Sequence, residues 1–254
     1  MDTGSQNNSH DLEFWEKRSS HFAQHAGKTH YPGEFLKLTR LAPEMTILDM
    51  GCGGGTLAIP LAAKVKKVTA VDFSPSMLAI VKNICRERNI TNIETIHGEW
   101  DSDWAALGIG KYDIAIASRS LRAENSVPYI QKLVNAARRQ VFISAPEGNG
   151  PLDTKLLEFV GREIPVKGDY RQFMEVFSSM GIRADISFIE ESQTNRWRTF
   201  DEAMEGQEWM FFGMTPDEDK KIRLYLEQNL IKKDGMFQLP YERPCRWAVM
   251  WWDV

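Results

Sequence analysis

Between Met45 and Ala145, short runs of apolar and β-branched residues alternate with amphipathic stretches. That alternation constrains what the chain can fold into more than any other feature. Met45–Met50, Lys67–Asp72, Ile93–His97, Tyr112–Ala117 and Gln140–Ala145 read as buried strands. Thr56–Val65, Pro75–Asn89 and Pro128–Arg138 read as the helices between them. Strands joined through helices pair in parallel, and the crossovers cover both faces of one sheet.

Past Pro146 the pattern loosens. Leu152–Glu163 and Tyr170–Met180 have helical spacing, Ala184–Glu190 supplies a sixth strand, and Arg246–Trp252 a seventh. Thr199 followed by Glu202, and Thr215 followed by Glu218, have the form of capping boxes. They predict two helices, one running to about Phe212 and one over Pro216–Leu230, inserted before the last strand. At the other end, Asp11–Ala26 predicts a helix broken by Tyr31-Pro32-Gly33, and a second helix covers Glu34–Leu41. The expected fold class is α/β: seven mostly parallel strands, the last one antiparallel, helices on both faces, and helical lid elements. Four segments follow, with a helical cap over 1–40, a core over 41–190, a helical insertion over 191–240 and the last strand over 241–254.

The chain has 254 residues, of which 43% are hydrophobic, enough for one well-buried core. A formal net charge of −4 offers no global positive field, so nucleic acid is not the expected partner. Three scattered cysteines, Cys52, Cys85 and Cys245, lack metal-ligand spacing and fit free thiols in a reducing, cytoplasmic setting. No apolar run approaches membrane-spanning length, and the polar N-terminus lacks the form of an export signal. His21 and His25 stand one helical turn apart without a third ligand, so no metal is expected.

The first strand runs straight into Gly51-Cys52-Gly53-Gly54-Gly55-Thr56. Glycines there let backbone approach a ligand closely and permit positive φ. A dinucleotide fingerprint places glycines at the first, third and sixth positions of the turn. Here Gly51 and Gly53 occupy the first and third, Thr56 holds the sixth, and Gly55 is one place early. A phosphate-cradling loop would close on Lys-Ser or Lys-Thr, which is absent. Asp49 precedes the turn, and Asp72 ends the second strand about twenty residues after the first glycine. A carboxylate there can accept both hydroxyls of a ribose, a feature that does not by itself separate a nicotinamide cofactor from other adenosyl ligands.

Taken together, ILDMGCGGGTLAIPLA, VTAVDFSPSML, HGEWDSDW and KYDIAIASRSL resemble the Rossmann-like class I S-adenosylmethionine-dependent methyltransferases, from roughly Phe35 to Ala145. The resemblance implies S-adenosylmethionine as cofactor and S-adenosylhomocysteine as product. It implies Asp49 near the methionine amino group, and Gly51, Cys52, Gly53 and Gly55 along the methionyl chain. Asp72 would hold the ribose, Phe73 and Met77 would flank the adenine, and Glu99 and Trp100 would follow the third strand beside it. The family's Gly-Asp-Ala is replaced there by Gly98-Glu99-Trp100. Ser118 and Arg119 would sit beside the transferring methyl group.

Direct methyl transfer needs alignment and water exclusion more than a covalent intermediate, so the acceptor leaves little trace in sequence. His30, Tyr31 and Arg119 are the candidate catalytic side chains. The expected acceptor is a small molecule. SRSL stands where enzymes methylating base or amide nitrogens carry Asn-Pro-Pro-Tyr. Two alternatives remain at this point. One is a nicotinamide-dependent oxidoreductase, against which Thr56 and the lack of a Tyr-x-x-x-Lys pair both stand. The other is a non-catalytic S-adenosylmethionine-binding sensor or scaffold.

Overall fold

The computed structural model describes residues 29–164, 169–193, 195–211 and 213–254. The helix expected over Asp11–Ala26, with His10, His21 and His25, lies outside the described residues. In chain order the elements are α1 (Tyr31–Leu38), β1 (Thr46–Met50), α2 (Ala58–Ala62), β2 (Lys67–Asp72), α3 (Pro75–Glu87) and β3 (Ile93–His97). Then come β4 (Tyr112–Ser118), α4 (Val127–Ala136), β5 (Ala137–Pro146), α5 (Thr154–Val160), α6 (Tyr170–Ser179) and β6 (Asp185–Gln193). The last third holds β7 (Arg196–Trp197), α7 (Phe200–Glu208), α8 (Pro216–Asn229), β8 (Ile231–Lys233), β9 (Met236–Gln238) and β10 (Arg243–Asp253).

Seven strands form one sheet in the order β3-β2-β1-β4-β5-β10-β6. The strands from β3 through β5 pair in parallel, and β10 runs antiparallel to both of its neighbours. This is the expected fold class: the alternation predicts the parallel part of the sheet, and the last strand is antiparallel. Period-two alternation divides the core between the faces. In β1, Ile47 joins a cluster with Phe35, Leu61 and Val81, while Leu48 and Met50 join one with Ile130, Leu133 and Phe177. Asp49 shares its face with Ile47, so it points toward the side of the sheet that carries α2.

Several boundaries differ from the sequence reading, each for a physical reason. Tyr31-Pro32-Gly33 opens α1 instead of only breaking a helix, and α1 ends at Leu38, short of Leu41. Proline fits there because the first-turn N–H has no intrahelical acceptor to lose. α2 spans only Ala58–Ala62, because the glycine turn holds the preceding residues. β5 starts at Ala137 with no intervening loop, since α4 runs directly into it. β6 extends to Gln193 and β10 begins at Arg243, each pairing with the other beyond the expected ends.

The chain after β5, the chain after β6 and the approach to β10 all meet at the edge formed by the carboxyl ends of the parallel strands. From that edge rises a cap whose β7, β9 and β8 make a second, three-stranded sheet that the sequence reading lacked. These strands have two or three residues each, too short to carry a period. The cap has its own core: Leu156 and Leu157 of α5 pack with Trp197, Met204, Met210, Phe211, Ile222 and Leu226.

The two caps predicted in this region differ. At α8 the box is complete, with Thr215 and Glu218 bonding reciprocally. At α7 Thr199 accepts from the Glu202 N–H, but the Glu202 carboxylate accepts from Arg198 instead of from Thr199. Glu218 also takes a two-point contact from Arg162, Nε to Oε1 at 2.5 Å and Nη2 to Oε2 at 3.1 Å. That contact and the Thr215 N–H pull its carboxyl down to about 2. Glu218→Ala should therefore cost about 1–2 kcal/mol. A group depressed on folding contributes above its unfolded pKa, near 4.5, and loses that contribution as pH falls toward 2. The melting-temperature gap between wild type and variant should be full at pH 7 and shrunken at pH 3.

Candidate active site at the strand ends

β1 delivers Asp49 and Met50 to the edge, and the chain then turns through Gly51, Gly53 and Gly55 at φ of +73°, +52° and +85°. Two of these glycines also lack room for a side chain. A Cβ on Gly51 would lie 2.3 Å from Ser120 Cβ, and one on Gly55 2.9 Å from Ile59 Cγ1. Ser120 is fixed against the turn because its hydroxyl donates to the Met50 carbonyl at 2.7 Å. The chain just beyond β4 and the start of the glycine turn are thus one packed unit.

Asp49 is 2% exposed. The Ala58 N–H donates to its carboxylate, yet Oδ2 has no hydrogen-bond partner among the described residues. Burial first, and then the neighbouring Asp72 charge, push its carboxyl up to about 7. Asp72, at the end of β2, accepts from the Gly53 N–H at 2.7 Å and from the Ser74 N–H at 2.9 Å. Burial raises its pKa, opposed by those two donors. Ser74 caps α3 by accepting from Met77 N at 3.2 Å, which seats Met77 in the first turn, 1% exposed. Cys52 is buried, and burial with the two acidic neighbours pushes its thiol well above the ordinary range. A thiol held neutral in this way lines the turn and is no nucleophile.

Next to the β2 end, the Phe73 carbonyl accepts from the His97 ring at 3.0 Å. Glu99 is exposed, with its N–H donating to Ser102 Oγ. Trp100 is half-buried between the rings of Trp104 and Tyr129, and its indole donates to the Ser120 carbonyl at 3.2 Å.

Beyond β4 and β5 lies a second group. The Tyr31 hydroxyl contacts Ser118 Oγ at 2.8 Å and Ser144 Oγ at 2.7 Å, with the serines 3.2 Å apart. Three hydroxyls at these distances can close a ring in which each donates once and accepts once. Tyr31 is fully buried, and burial raises its pKa, so the phenol stays neutral. Arg119 has a left-handed backbone, φ +57°, costly for a residue with a Cβ and indicative of a constrained site. Its guanidinium lies 4.2 Å over the Tyr31 ring and 5.1 Å from the Trp247 ring centre. Glu191 takes a hydrogen bond from Thr29 and one from Trp247 Nε1 at 3.0 Å, and stands 3.9 Å from Arg119 Nη1.

The fold therefore brings Asp49, the glycines, Cys52, Asp72, Ser118, Tyr31 and Arg119 to one edge. His30 is exposed, and its ring donates to the Glu190 carbonyl at 2.6 Å. Sequence reasoning missed Ser120, Ser144, Glu191 and Trp247. Ser144 had a signal, as the lone hydroxyl inside the apolar run Val141–Ala145. Glu191 and Trp247 had none, because each acquires its neighbours only through the pairing of β6 with β10.

Charge decides what this edge can hold. Among the described residues, Asp49, Asp72 and Glu191 stand near the Arg119 guanidinium, and Asp49 keeps an oxygen without a donor. A pyrophosphate laid on the turn, as a dinucleotide requires, would meet buried negative charge. A ligand bearing an ammonium and a ribose meets acceptors for both.

Residues 47–141 match the family model described as a methyltransferase domain. That segment is similar to a methyltransferase domain, and the sheet it belongs to has the Rossmann-like form of the class I S-adenosylmethionine-dependent methyltransferases. An uncharacterised protein of Haemophilus influenzae (strain Rd) is 25% identical over 243 residues, covering 94% of this chain and 88% of that one. A 23S rRNA (uracil-C5)-methyltransferase of Edwardsiella ictaluri is 28% identical over 117 residues, 44% of this chain and 26% of its own length. A ubiquinone biosynthesis O-methyltransferase of Rickettsia conorii is 34% identical over 104 residues, 40% of this chain and 34% of its own. A crystal structure from Bacillus halodurans C-125 shares the fold with a TM-score of 0.61 at 11% identity, covering 89% of this chain and 99% of that one. Relatives thus act on RNA and on small molecules, so kinship leaves the acceptor class open and does not exclude nucleic acid. Among the described residues, no helix is long and apolar enough to cross a membrane.

Proposed function

We propose that the chain methylates a small-molecule acceptor by direct in-line transfer, in a space between the β4–β5 ends and the cap. The orphaned carboxylate oxygen of Asp49, buried beside the glycine turn, carries the cofactor half of this reading. Asp49 would take the methionine ammonium, and the turn from Gly51 to Gly55, with Cys52, would line the methionyl chain. Asp72 would take the ribose, Phe73 and Met77 would flank the adenine, and Glu99 and Trp100 would close its far side. When bound, the cofactor supplies an electrophilic methyl on sulfur.

The residues of the chain align and enclose. Ser118 and Tyr31 would form the floor beside the methyl, with Tyr31 neutral and unsuited to act as a base. His30, turned to the Glu190 carbonyl, would stay at the rim. We read the cap, residues 195–242 with α5, as the unit that selects the acceptor, where the sequence divides the chain at 191–240. It holds ten carboxylates against seven basic side chains between 195 and 242, a poor grip for a phosphate backbone. Three cysteines without a disulfide suit the cytoplasm.

Two experiments test this. Incubating the protein with methyl-labelled cofactor and a cell extract should place label in the low-mass fraction. Label in RNA or protein alone would contradict the small-molecule reading. Asp72→Ala should weaken cofactor affinity by about 1.5–3 kcal/mol in titration calorimetry, the scale of a charged hydrogen bond. Wild-type affinity in that variant would mean that the ribose is held elsewhere.

A further inference from the structure

Two opposite charges face each other across the glycine turn without meeting. Arg119 acts on Asp49 through space, yet the two form no ion pair. Each has unspent bonding capacity. Among the described residues, Asp49 Oδ2 has no donor and nothing accepts a hydrogen bond from the Arg119 guanidinium. Glu191 pairs with it only through space: at 3.9 Å the contact is an ion pair beyond hydrogen-bond distance, so the N–H fork itself is not taken up. A guanidinium mostly withdrawn from water, with its side chain 23% exposed, normally finds an oxygen to bond. Here the aromatic faces of Tyr31 and Trp247 hold its plane, an arrangement that fixes orientation and leaves the N–H fork open. The left-handed backbone at Arg119 is kept in place by Ser120 against Gly51 and by the Arg119 N–H to the Ser144 carbonyl at 3.1 Å.

From this arrangement we infer that Arg119 is the receptor for the α-carboxylate of the cofactor, forming with Asp49 a matched pair for the zwitterionic amino-acid end. Arg119 is thus a cofactor-positioning residue, not an acid or base for the acceptor. By clamping both ends of the methionyl group it sets where the sulfonium methyl points. The inference rests on the assignment of the turn to the cofactor and adds to it a preference: ligands with the carboxylate bind better than those without.

The test compares S-adenosylmethionine with decarboxylated S-adenosylmethionine by titration calorimetry, on the wild-type protein and on Arg119→Gln. Wild type should bind the carboxylate-bearing ligand at least tenfold more tightly. Arg119→Gln should lose that margin by weakening S-adenosylmethionine alone, and Arg119→Lys should restore part of it. Equal affinity of the two ligands for wild type would overturn the inference without recourse to any variant. A loss in Arg119→Gln shared equally by both ligands would also overturn it, as would unchanged S-adenosylmethionine binding. Failure of wild type to bind either ligand would instead sink the assignment of the turn itself.

Discussion

Gly51→Ala should unfold at a temperature roughly 5–15 °C below wild type and bind no measurable cofactor. Two costs combine. Alanine at φ +73° enters the left-handed region, at about 1–2 kcal/mol. Its methyl would also lie 2.3 Å from Ser120 Cβ, a separation that real atoms avoid, and local overpacking adds about 1–3 kcal/mol. Ser120 cannot retreat without breaking its hydrogen bond to the Met50 carbonyl, at the end of the strand that carries Asp49. Displacement therefore propagates into the site. Adding Ser120→Gly should recover the overpacking part and leave the backbone strain, so the double variant should melt between Gly51→Ala and wild type. Wild-type melting in Gly51→Ala would show that the turn and the β4 end are not packed as described.

Asp49→Asn should weaken S-adenosylmethionine by roughly 30- to 150-fold, a loss of about 2–3 kcal/mol. The same change should stabilise the ligand-free protein at pH 8, by roughly 1–3 kcal/mol, because a buried carboxylate without a cationic partner is removed. The sign follows from linkage. Burial and Asp72 raise this carboxyl from 3.8 to about 7. The protein pays no penalty for it below 3.8; the penalty grows between 3.8 and about 7 and is full above that. An ammonium that pairs with the ionised form must displace the proton. Cofactor affinity should then rise close to tenfold per pH unit between 5.5 and 6.5 and flatten above 7. Asp49→Asn should remove that slope. A wild-type affinity independent of pH in this range would mean that Asp49 does not meet the ammonium.

Much of the fold was legible because the strands of the core are long enough to show a pattern. β1, β2 and β3 were placed within a residue, and an apolar run at the end of the chain marked β10 as a strand, though not its direction. The small sheet of the cap was not legible, since strands such as Arg196–Trp197 are too short for a period and pair only in context. Nor was it legible that Trp197, Met210 and Phe211 fill a separate core of the cap with α5, since these residues meet only in the tertiary structure.

The site divides in the same way. Asp49, Gly51 and Asp72 stood out because one strand–turn–helix unit and the next strand carry them at fixed spacing. The hydroxyl ring of Tyr31, Ser118 and Ser144 joins residues 113 positions apart, and only the sheet order brings them together. Arg119 was visible as a charge at the end of β4, but its open N–H fork depends on Tyr31, Trp247 and Glu191, none of them local. Sequence spacing reports contacts within a supersecondary unit, and tertiary pairing creates the rest.

A crystal structure with S-adenosylhomocysteine tests the central claim most directly. The account predicts the amino group within hydrogen-bond distance of Asp49 Oδ2, the ribose hydroxyls on Asp72, and the backbone of Gly51 to Gly55 along the homocysteine chain. A product molecule bound away from the glycine turn, or one whose amino group leaves Asp49 Oδ2 without a donor, would contradict it.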